Sequence, residues 1–590
     1  MRNGLAVSPG VTIGTAYCIH EVFVDPDKRS LLANQIPGEL ARFEQARKRS
    51  ISDLRALQTK VERQVGKDAA AVFSVHESIL QDMALVRRIR ASIQSDHLSA
   101  QAALADLVEY YRTYLERSGD DYLRERMADI RDVVTRLTSY LSDALRPDSG
   151  ALKGPIIVIA DELLPSQVVM LGAKPVHGIV TQAGSQTSHA AIIARSRGIP
   201  AVSGVTGILR QTKTGDTVIV DGREGHVIIN PEPEALSAYR KLEREFFNLK
   251  NQLAHNRDQP ARTLDGKCLE LLANINNLAD AKAALAMGAS GVGLYRTEYL
   301  YLTHSSVPDE KEQIEIYREI IEASPNHVVT IRTLDIGGDK TVPFLGRTQH
   351  EANPFMGWRS IRISFEHPDF FMTQIRAILC AAAAATKNAS NSRVQIMFPM
   401  ITNLEEVRRL QSFVKRGMEQ LKKERKAFSK IPFGMMLEVP AAAIMIDQLL
   451  QAVDFVSIGS NDLVQYLMAA DRDNPKVSHL CQPLAPAVLR VLSSVVTTCR
   501  DARCPVTLCG EMAGQPQAFV LLLGMGLTRF SMSPALIPTI KELASHVTIP
   551  MAQSLLNAAM KLKTTQKVKS LLNAELLRIA PNLKPILTQQ

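Results

Sequence analysis

The feature that most limits what this chain can become is a repeat that starts near Leu264 and fills most of the sequence beyond it. Short apolar runs recur there, and helix-prone segments separate most of them. The runs are Leu269–Ile275, Gly291–Arg296, Val328–Asp335, Val394–Met400, Phe433–Val439, Phe455–Ile458, Val506–Cys509 and Thr528–Met532. Runs this short and this continuously apolar fit strands buried on both faces, as parallel sheets require. Eight strand–helix units predict a (β/α)8 barrel of the TIM type; a doubly wound open sheet is the alternative. The residues at the strand exits favour the barrel. Asn274, Arg296, Arg332, Glu438, Asp462, Cys509 and Ser533 lie at or just beyond the C-terminal ends, the face on which barrel enzymes build their sites.

Upstream the texture differs. Gly4–His20 reads as strand and turn. From about Glu39 to Leu145 proline and glycine nearly vanish, and apolar residues keep helical spacing, as at Val72, Val75, Ile79 and Met83. Strand-like runs then return at Pro155–Ala160, Gly178–Thr181 and Thr217–Val220, with a helix expected over Ala190–Ser196, closed by Gly198 and Pro200. The helical block therefore reads as an insertion in a small α/β domain. The expected organisation is an α/β domain from 1–20 and 146–230, a helical subdomain over 21–145, a linker helix over 231–262 and the barrel over 263–590. Several domains are required in any case, because single cores stop growing near ~250–300 residues and this chain has 590.

Composition narrows the function. No apolar run is long enough to cross a bilayer, and the opening MRNGLAVSPG has no signal-peptide core. Seven cysteines are scattered with no CxxC pair, which argues against disulfides and a structural zinc site and for a reducing, cytoplasmic setting. A formal charge of +9 suits anionic substrates or acidic partners. The basic residues are dispersed and form no recognisable nucleic-acid module.

Four sets of residues carry candidate chemistry. His189 comes after a glycine-containing turn and Thr187-Ser188, at the start of the expected helix. Imidazole is a nucleophile near neutral pH, and a helix N-terminus favours a phosphoryl anion; from position alone a capping or packing histidine is the commoner case. Arg296, Arg332, Arg359 and Arg472 are guanidinium forks matched to phosphate and carboxylate oxygens, although surface ion pairing is the commoner fate of arginine. Glu438 and Asp462 each close an apolar strand, as carboxylates that hold Mg²⁺ do; a buried pair with an arginine of the same face fits as well. Cys509, in LCGEMAG, is either an acid near a reacting carbon or an inert core thiol.

The ordered set GLAVSPG, VFSVHESILQD, DIRDV, GLYRTE, IRTLDIGGDK, NPFMGWR, IMFPM, GSNDL, CGEMAG and FSMSP covers nearly the whole chain. In it the chain resembles the Enzyme I family of the phosphoenolpyruvate:sugar phosphotransferase system. The resemblance implies a phosphotransferase that takes a phosphoryl group from phosphoenolpyruvate onto His189 and passes it to the carrier protein HPr, docked on the helical subdomain. It implies that Arg296 and Arg332 bind the phosphate with Arg359 in support, that Glu438 and Asp462 ligate Mg²⁺, that Asn461 and Arg472 hold the phosphate or carboxylate end, and that Cys509 protonates the enolate carbon. It also implies a swivelling phosphohistidine domain and a homodimer formed through the barrel.

The chain departs from the family pattern near His189, with Ser185 and Gln186 where Gly-Arg is common and Leu164 where a threonine usually precedes Pro-Ser. Lys67 and Ala84 stand where acidic residues often face HPr. Two other readings remain open. A pyruvate phosphate dikinase or phosphoenolpyruvate synthase would need an ATP-binding domain, for which the helical first ~150 residues show no glycine-rich loop. A weakly active regulatory scaffold is supported only by the changes around His189.

Overall fold

The computed structural model describes residues 2–8, 10–19, 31–64, 73, 76–118, 121–141, 154–163, 176–183, 194, 199–302, 307–337, 351, 353–387, 393–472, 474 and 476–587, without the side chains of 60–64, 84, 112–118, 121–128, 250, 252, 254, 255, 302, 385–387, 585 and 586. His189, Leu164, Ser185, Gln186, Lys67, Val72 and Val75 lie outside the described residues, as do the side chain of Ala84 and all of the expected helix Ala190–Ser196 except Ala194. The chain divides into two compact units, residues 1–247 with 589–590, and residues 248–588.

The first unit contains one eight-stranded sheet. Its strands are β1 (Arg2–Asn3), β2 (Leu5–Ser8), β3 (Val11–Ile19), β4 (Ile156–Ala160), β5 (Val176–Thr181), β6 (Ala201–Ser203), β7 (Thr217–Asp221) and β8 (His226–Ile229), in the spatial order β1-β8-β7-β3-β4-β5-β6-β2. Strand β3 pairs parallel with β4 and antiparallel with β7, so the opening residues and those beyond 154 form one sheet. All five residues of β4 are buried. Ile156, Val158 and Ala160 join one apolar cluster while Ile157 and Ile159 join another, the period-2 signature of a strand covered on both faces. Between β3 and β4 come the helices Ile36–Gln64, Met83–Ser95, Ala100–Ser118 and Asp121–Leu141, which bury a core of their own around Phe43, Leu54, Leu80, Ile89, Leu104 and Leu137. A helix then spans Pro233–His255.

The second unit is built on a closed parallel barrel: β9 (Glu270–Ile275), β10 (Gly291–Arg296), β11 (Val328–Arg332), β12 (Arg393–Phe398), β13 (Phe433–Leu437), β14 (Phe455–Ile458), β15 (Val506–Leu508) and β16 (Arg529–Met532), with β16 pairing back to β9. The expected (β/α)8 class is therefore the observed one. Strands β11 and β14 are buried at every residue and β10 at all but Arg296, which accounts for their unbroken apolar runs. Helices come after the strands and cover them; Leu404–Lys423, for example, opens with a complete capping box between Asn403 and Glu406 and buries Val407, Leu410, Phe413 and Leu421. Leu294, Met397, Met436, Phe455 and Cys509, drawn from β10, β12, β13, β14 and the end of β15, form a small cluster apart from the main core.

Several strands stop earlier than their apolar runs suggest, and β11 and β12 do so for the same reason. Beyond Arg332 the backbone N–H of Leu334 goes to Gln374 Oε1 at 3.0 Å and that of Asp335 to Glu298 Oε1 at 3.0 Å. Beyond Phe398, Pro399 has no N–H to give, and Met400 turns to a φ of 55°, where its N–H meets Glu438 Oε1 at 2.6 Å. In both places side chains take over backbone donors from the ladder, and the chain turns across the C-terminal face of the barrel.

Candidate active site

The C-terminal ends of β10, β11, β13 and β14 gather a set of mostly buried charged residues. Arg332, last in β11, is buried, and its guanidinium meets Glu298 Oε1 at 2.7 Å and Asp335 Oδ2 at 3.0 Å. Asp335 uses its other oxygen on Arg359, at 3.1 Å. Arg359 continues to Asp462 Oδ2 at 3.0 Å, and Asp462 Oδ1 pairs with Arg472 at 3.0 Å. Six side chains of alternating sign thus run from the buried Glu298 to the partly exposed Arg472. Burial alone would push the Arg332 and Arg359 guanidiniums down, but the carboxylates around each outweigh it and keep both firmly protonated. The buried Nε atoms of both have no hydrogen-bond partner among the described residues.

Arg296 stands apart from this chain. It ends β10 and is half-buried, and its guanidinium makes no hydrogen bond or ion pair with a described residue. Burial first, and the nearby Arg332 charge second, hold its guanidinium below the ordinary arginine value. The Glu298 and Glu511 carboxylates offset this only in part; a phosphate would add counter-charge and match the fork bidentately.

Glu438 directly succeeds β13 and is almost wholly buried. It carries no ion pair among the described residues; its one hydrogen bond there is the N–H of Met400. Burial, then the charges of Asp335 and Asp462, push its carboxyl up to about 8. Burial and the two carboxylates thus outweigh the Arg332 and Arg359 charges that act on it, and an added cation would offset them. Space for one is kept open by Gly459, where an added Cβ would fall 2.8 Å from Glu438 Oε2. Asp462 lies in the first turn of the helix Ser460–Met468, just beyond β14. The all-oxygen donor set of Glu438 and Asp462 fits a hard divalent ion. Among the described residues no group of three or more acidic, histidine or cysteine side chains is clustered for a metal, so water and substrate oxygens would complete the coordination.

The neighbouring Asn461 accepts the N–H of Glu511 at 2.9 Å and thereby ties the β14 exit to the β15 exit. Cys509 closes β15, its Sγ 3.4 Å from the carbonyl of Ile458, while its own carbonyl accepts from Asn274 at 2.9 Å. Burial pushes the thiol up to about 11, so at neutral pH it is a proton carrier rather than a nucleophile.

Arg296, Arg332, Arg359, Glu438, Asp462, Arg472, Asn461 and Cys509, all singled out in the sequence, are thus brought to one face of one barrel. His189 lies outside the described residues. Glu298 and Asp335 are at the heart of the ion-pair chain yet drew no notice as sequence, although both stand within three residues of a flagged arginine. Tyr466, whose hydroxyl lies 3.3 Å from Arg359 Nη1, was also passed over.

Three family descriptions match the chain. "PEP-utilising enzyme, PEP-binding domain" covers residues 250–549, "PEP-utilising enzyme, N-terminal" residues 3–126 and "PEP-utilising enzyme, mobile domain" residues 152–225. The phosphoenolpyruvate-protein phosphotransferase of Bacillus sp. (strain S) is 39% identical over 569 residues, 96% of this chain and 97% of its own. That of Geobacillus stearothermophilus is 40% identical over 532 residues, 90% of each chain. That of Buchnera aphidicola subsp. Acyrthosiphon pisum (strain APS) is 37% identical over 572 residues, 97% of this chain and 99% of its own.

Proposed function

The chain belongs to the phosphoenolpyruvate-protein phosphotransferases of the PEP-utilising enzyme family, and from that membership we propose that it moves the phosphoryl group of phosphoenolpyruvate onto its own His189 and then onto a histidine of the carrier protein HPr. What supports the reading is that one barrel face holds both Arg296, which has no ion pair among the described residues, and Glu438, whose carboxylate meets a single backbone N–H among them. Together they match a ligand that is itself an anion accompanied by a divalent metal.

In the first half-reaction the P–O bond of phosphoenolpyruvate breaks and an N–P bond forms on the His189 imidazole. The electron pair left behind makes the enolate of pyruvate. Arg296 and Arg332 hold the phosphate oxygens in the transition state, and Arg359 supports them. The protein performs little covalent chemistry in such a transfer beyond orientation and charge neutralisation. Asn461 and Arg472 hold the substrate's other anionic end. Cys509, neutral at physiological pH, gives its proton to the enolate carbon, and pyruvate leaves.

PEP-utilising enzymes use a metal. The oxygen donors Glu438 and Asp462 would hold Mg²⁺, whose charge, when bound, offsets those on the phosphate and enolate oxygens. Because Asp462 is engaged by Arg359 and Arg472, those arginines would yield the carboxylate to the ion and turn to the substrate.

His189 has to meet two partners in turn, so a swivelling movement of the phosphohistidine domain belongs to this reading. HPr would dock on the helices between β3 and β4, and two copies would pair through the barrel. No described helix is long and apolar enough to cross a membrane; we take the setting to be cytoplasmic.

The test is pyruvate release from phosphoenolpyruvate and Mg²⁺, monitored continuously with and without purified HPr. Steady release that requires HPr, is lost in His189→Ala and ignores ATP and AMP is expected. Release that needs a nucleotide instead would assign the chain to the dikinase branch.

A further inference from the structure

Glu298 has no part in the chemistry just described, yet it is the buried origin of the ion-pair chain. It lies two residues beyond Arg296 and opens the short helix Glu298–Leu302. A single oxygen, Oε1, accepts two donors from the neighbouring strand exit: Arg332 Nη2 at 2.7 Å and the backbone N–H of Asp335 at 3.0 Å. Asp335 in turn holds both Arg332 and Arg359. Around it the β10 and β11 exits are stitched together: Thr297 Oγ1 donates to the Arg332 carbonyl at 3.0 Å, and Gln374 Nε2 donates to Thr297 Oγ1 at 3.2 Å. Glu298 is therefore placed to fix one arginine directly and a second through Asp335, while being only 4% exposed.

We propose that Glu298 is a positioning residue, whose carboxylate oxygen sets Arg332 and the Asp335 turn at the geometry the transferring phosphoryl group requires. The proposal rests on the reading that Arg296 and Arg332 receive that group. Position, and not negative charge, is the quantity Glu298 supplies. Charge near Arg332 is already present in Asp335, and a further negative charge opposes an incoming anion.

This predicts an unusual ranking of two conservative variants. Glu298→Gln keeps the chain length and an oxygen that can accept from both Arg332 and the Asp335 N–H, but loses the charge. Glu298→Asp keeps the charge but withdraws the oxygen by one methylene. A misplacement on the order of 1 Å costs a phosphoryl-transfer site about 10²-fold. In the full chain, with phosphoenolpyruvate, Mg²⁺ and HPr, Glu298→Gln should lose less than about ten-fold in kcat with no rise in KM. Glu298→Asp should lose about 10²-fold in kcat/KM, with kcat falling. Both should accept phosphoryl from phosphorylated HPr at the wild-type rate, since that step does not use the barrel site; this also reports that each variant is folded. The reverse ranking, aspartate better than glutamine, would overturn the proposal by showing that charge is what matters, and equal wild-type kinetics in both would overturn it too. A wild-type protein with no phosphoenolpyruvate-dependent turnover would instead overturn the functional reading beneath it.

Discussion

The two arginines proposed to grip the phosphate should respond to the same substitution with opposite signs in stability. Arg332 is buried against Glu298 at 2.7 Å and Asp335 at 3.0 Å. Arg332→Met removes the cation and leaves two buried carboxylates facing each other, which costs about 3–5 kcal/mol. Arg296 is half-buried, has no ion pair among the described residues, and is pushed down by burial and by Arg332. Arg296→Met removes a poorly compensated charge and keeps the apolar stem, which should stabilise the free protein by about 0.5–2 kcal/mol. At roughly 2 °C per kcal/mol for a unit of this size, the barrel transition should fall by about 6–10 °C in Arg332→Met and rise by about 1–4 °C in Arg296→Met. Scanning calorimetry of the full chain, with and without saturating phosphoenolpyruvate and Mg²⁺, is the assay. The ligand should raise the wild-type transition and leave both variants nearly unmoved, because the ligand stabilises only what binds it. A fall in Arg296→Met comparable to that in Arg332→Met would refute the claim that the Arg296 charge is poorly compensated in the free protein.

Other outcomes concern single sites. Cys509→Ala should slow pyruvate formation yet leave His189 able to take phosphoryl from phosphorylated HPr; loss of both would remove the assigned role. Because burial pushes the Cys509 thiol up to about 11, it stays neutral as pH rises from about 6 to 9, and peptide mapping should find iodoacetamide on the exposed Cys268 long before Cys509. Glu438→Ala and Gly459→Ala should each weaken Mg²⁺ binding in calorimetry, the first by losing a ligand, the second by setting a methyl group 2.8 Å from Glu438 Oε2. Hydrogen bonds from Arg376 and then Lys426 depress the Glu424 carboxyl to about 2, from an ordinary value of 4.5. The stability it contributes is present above that ordinary value and is lost as pH falls towards the depressed one, so Glu424→Gln should flatten the pH dependence of unfolding inside that window and nowhere else.

Much of the barrel could be read from the chain because β-strands buried on both faces leave unbroken apolar runs, and β10, β11 and β14 are of that kind. Their ends were harder to place. Val328–Asp335 reads as one strand, but Leu334 and Asp335 give their N–H groups to Gln374 and Glu298, partners 40 and 37 residues away that no local pattern reveals. The candidate site was legible where a charged residue interrupts an apolar run, as Arg296, Arg332 and Glu438 do. Glu298 and Asp335 sit just past the runs, where a carboxylate looks like any solvated turn residue. Only the closure of the barrel shows that Glu298 is buried and that Asp335 bridges two arginines. Likewise the sequence offered Glu438 and Asp462 as equivalent ligands. The structure distinguishes them: Asp462 is already held by two arginines, whereas Glu438 meets a single backbone N–H among the described residues.

The central claim is that this chain becomes phosphorylated on His189 by phosphoenolpyruvate. The direct measurement is to incubate purified protein with phosphoenolpyruvate labelled in its phosphate and to track label on the chain. Acid-labile label that requires Mg²⁺ and disappears in His189→Ala is the result predicted. A folded, metal-replete protein that takes up no label, or one that keeps its label when His189 is replaced, would contradict the account.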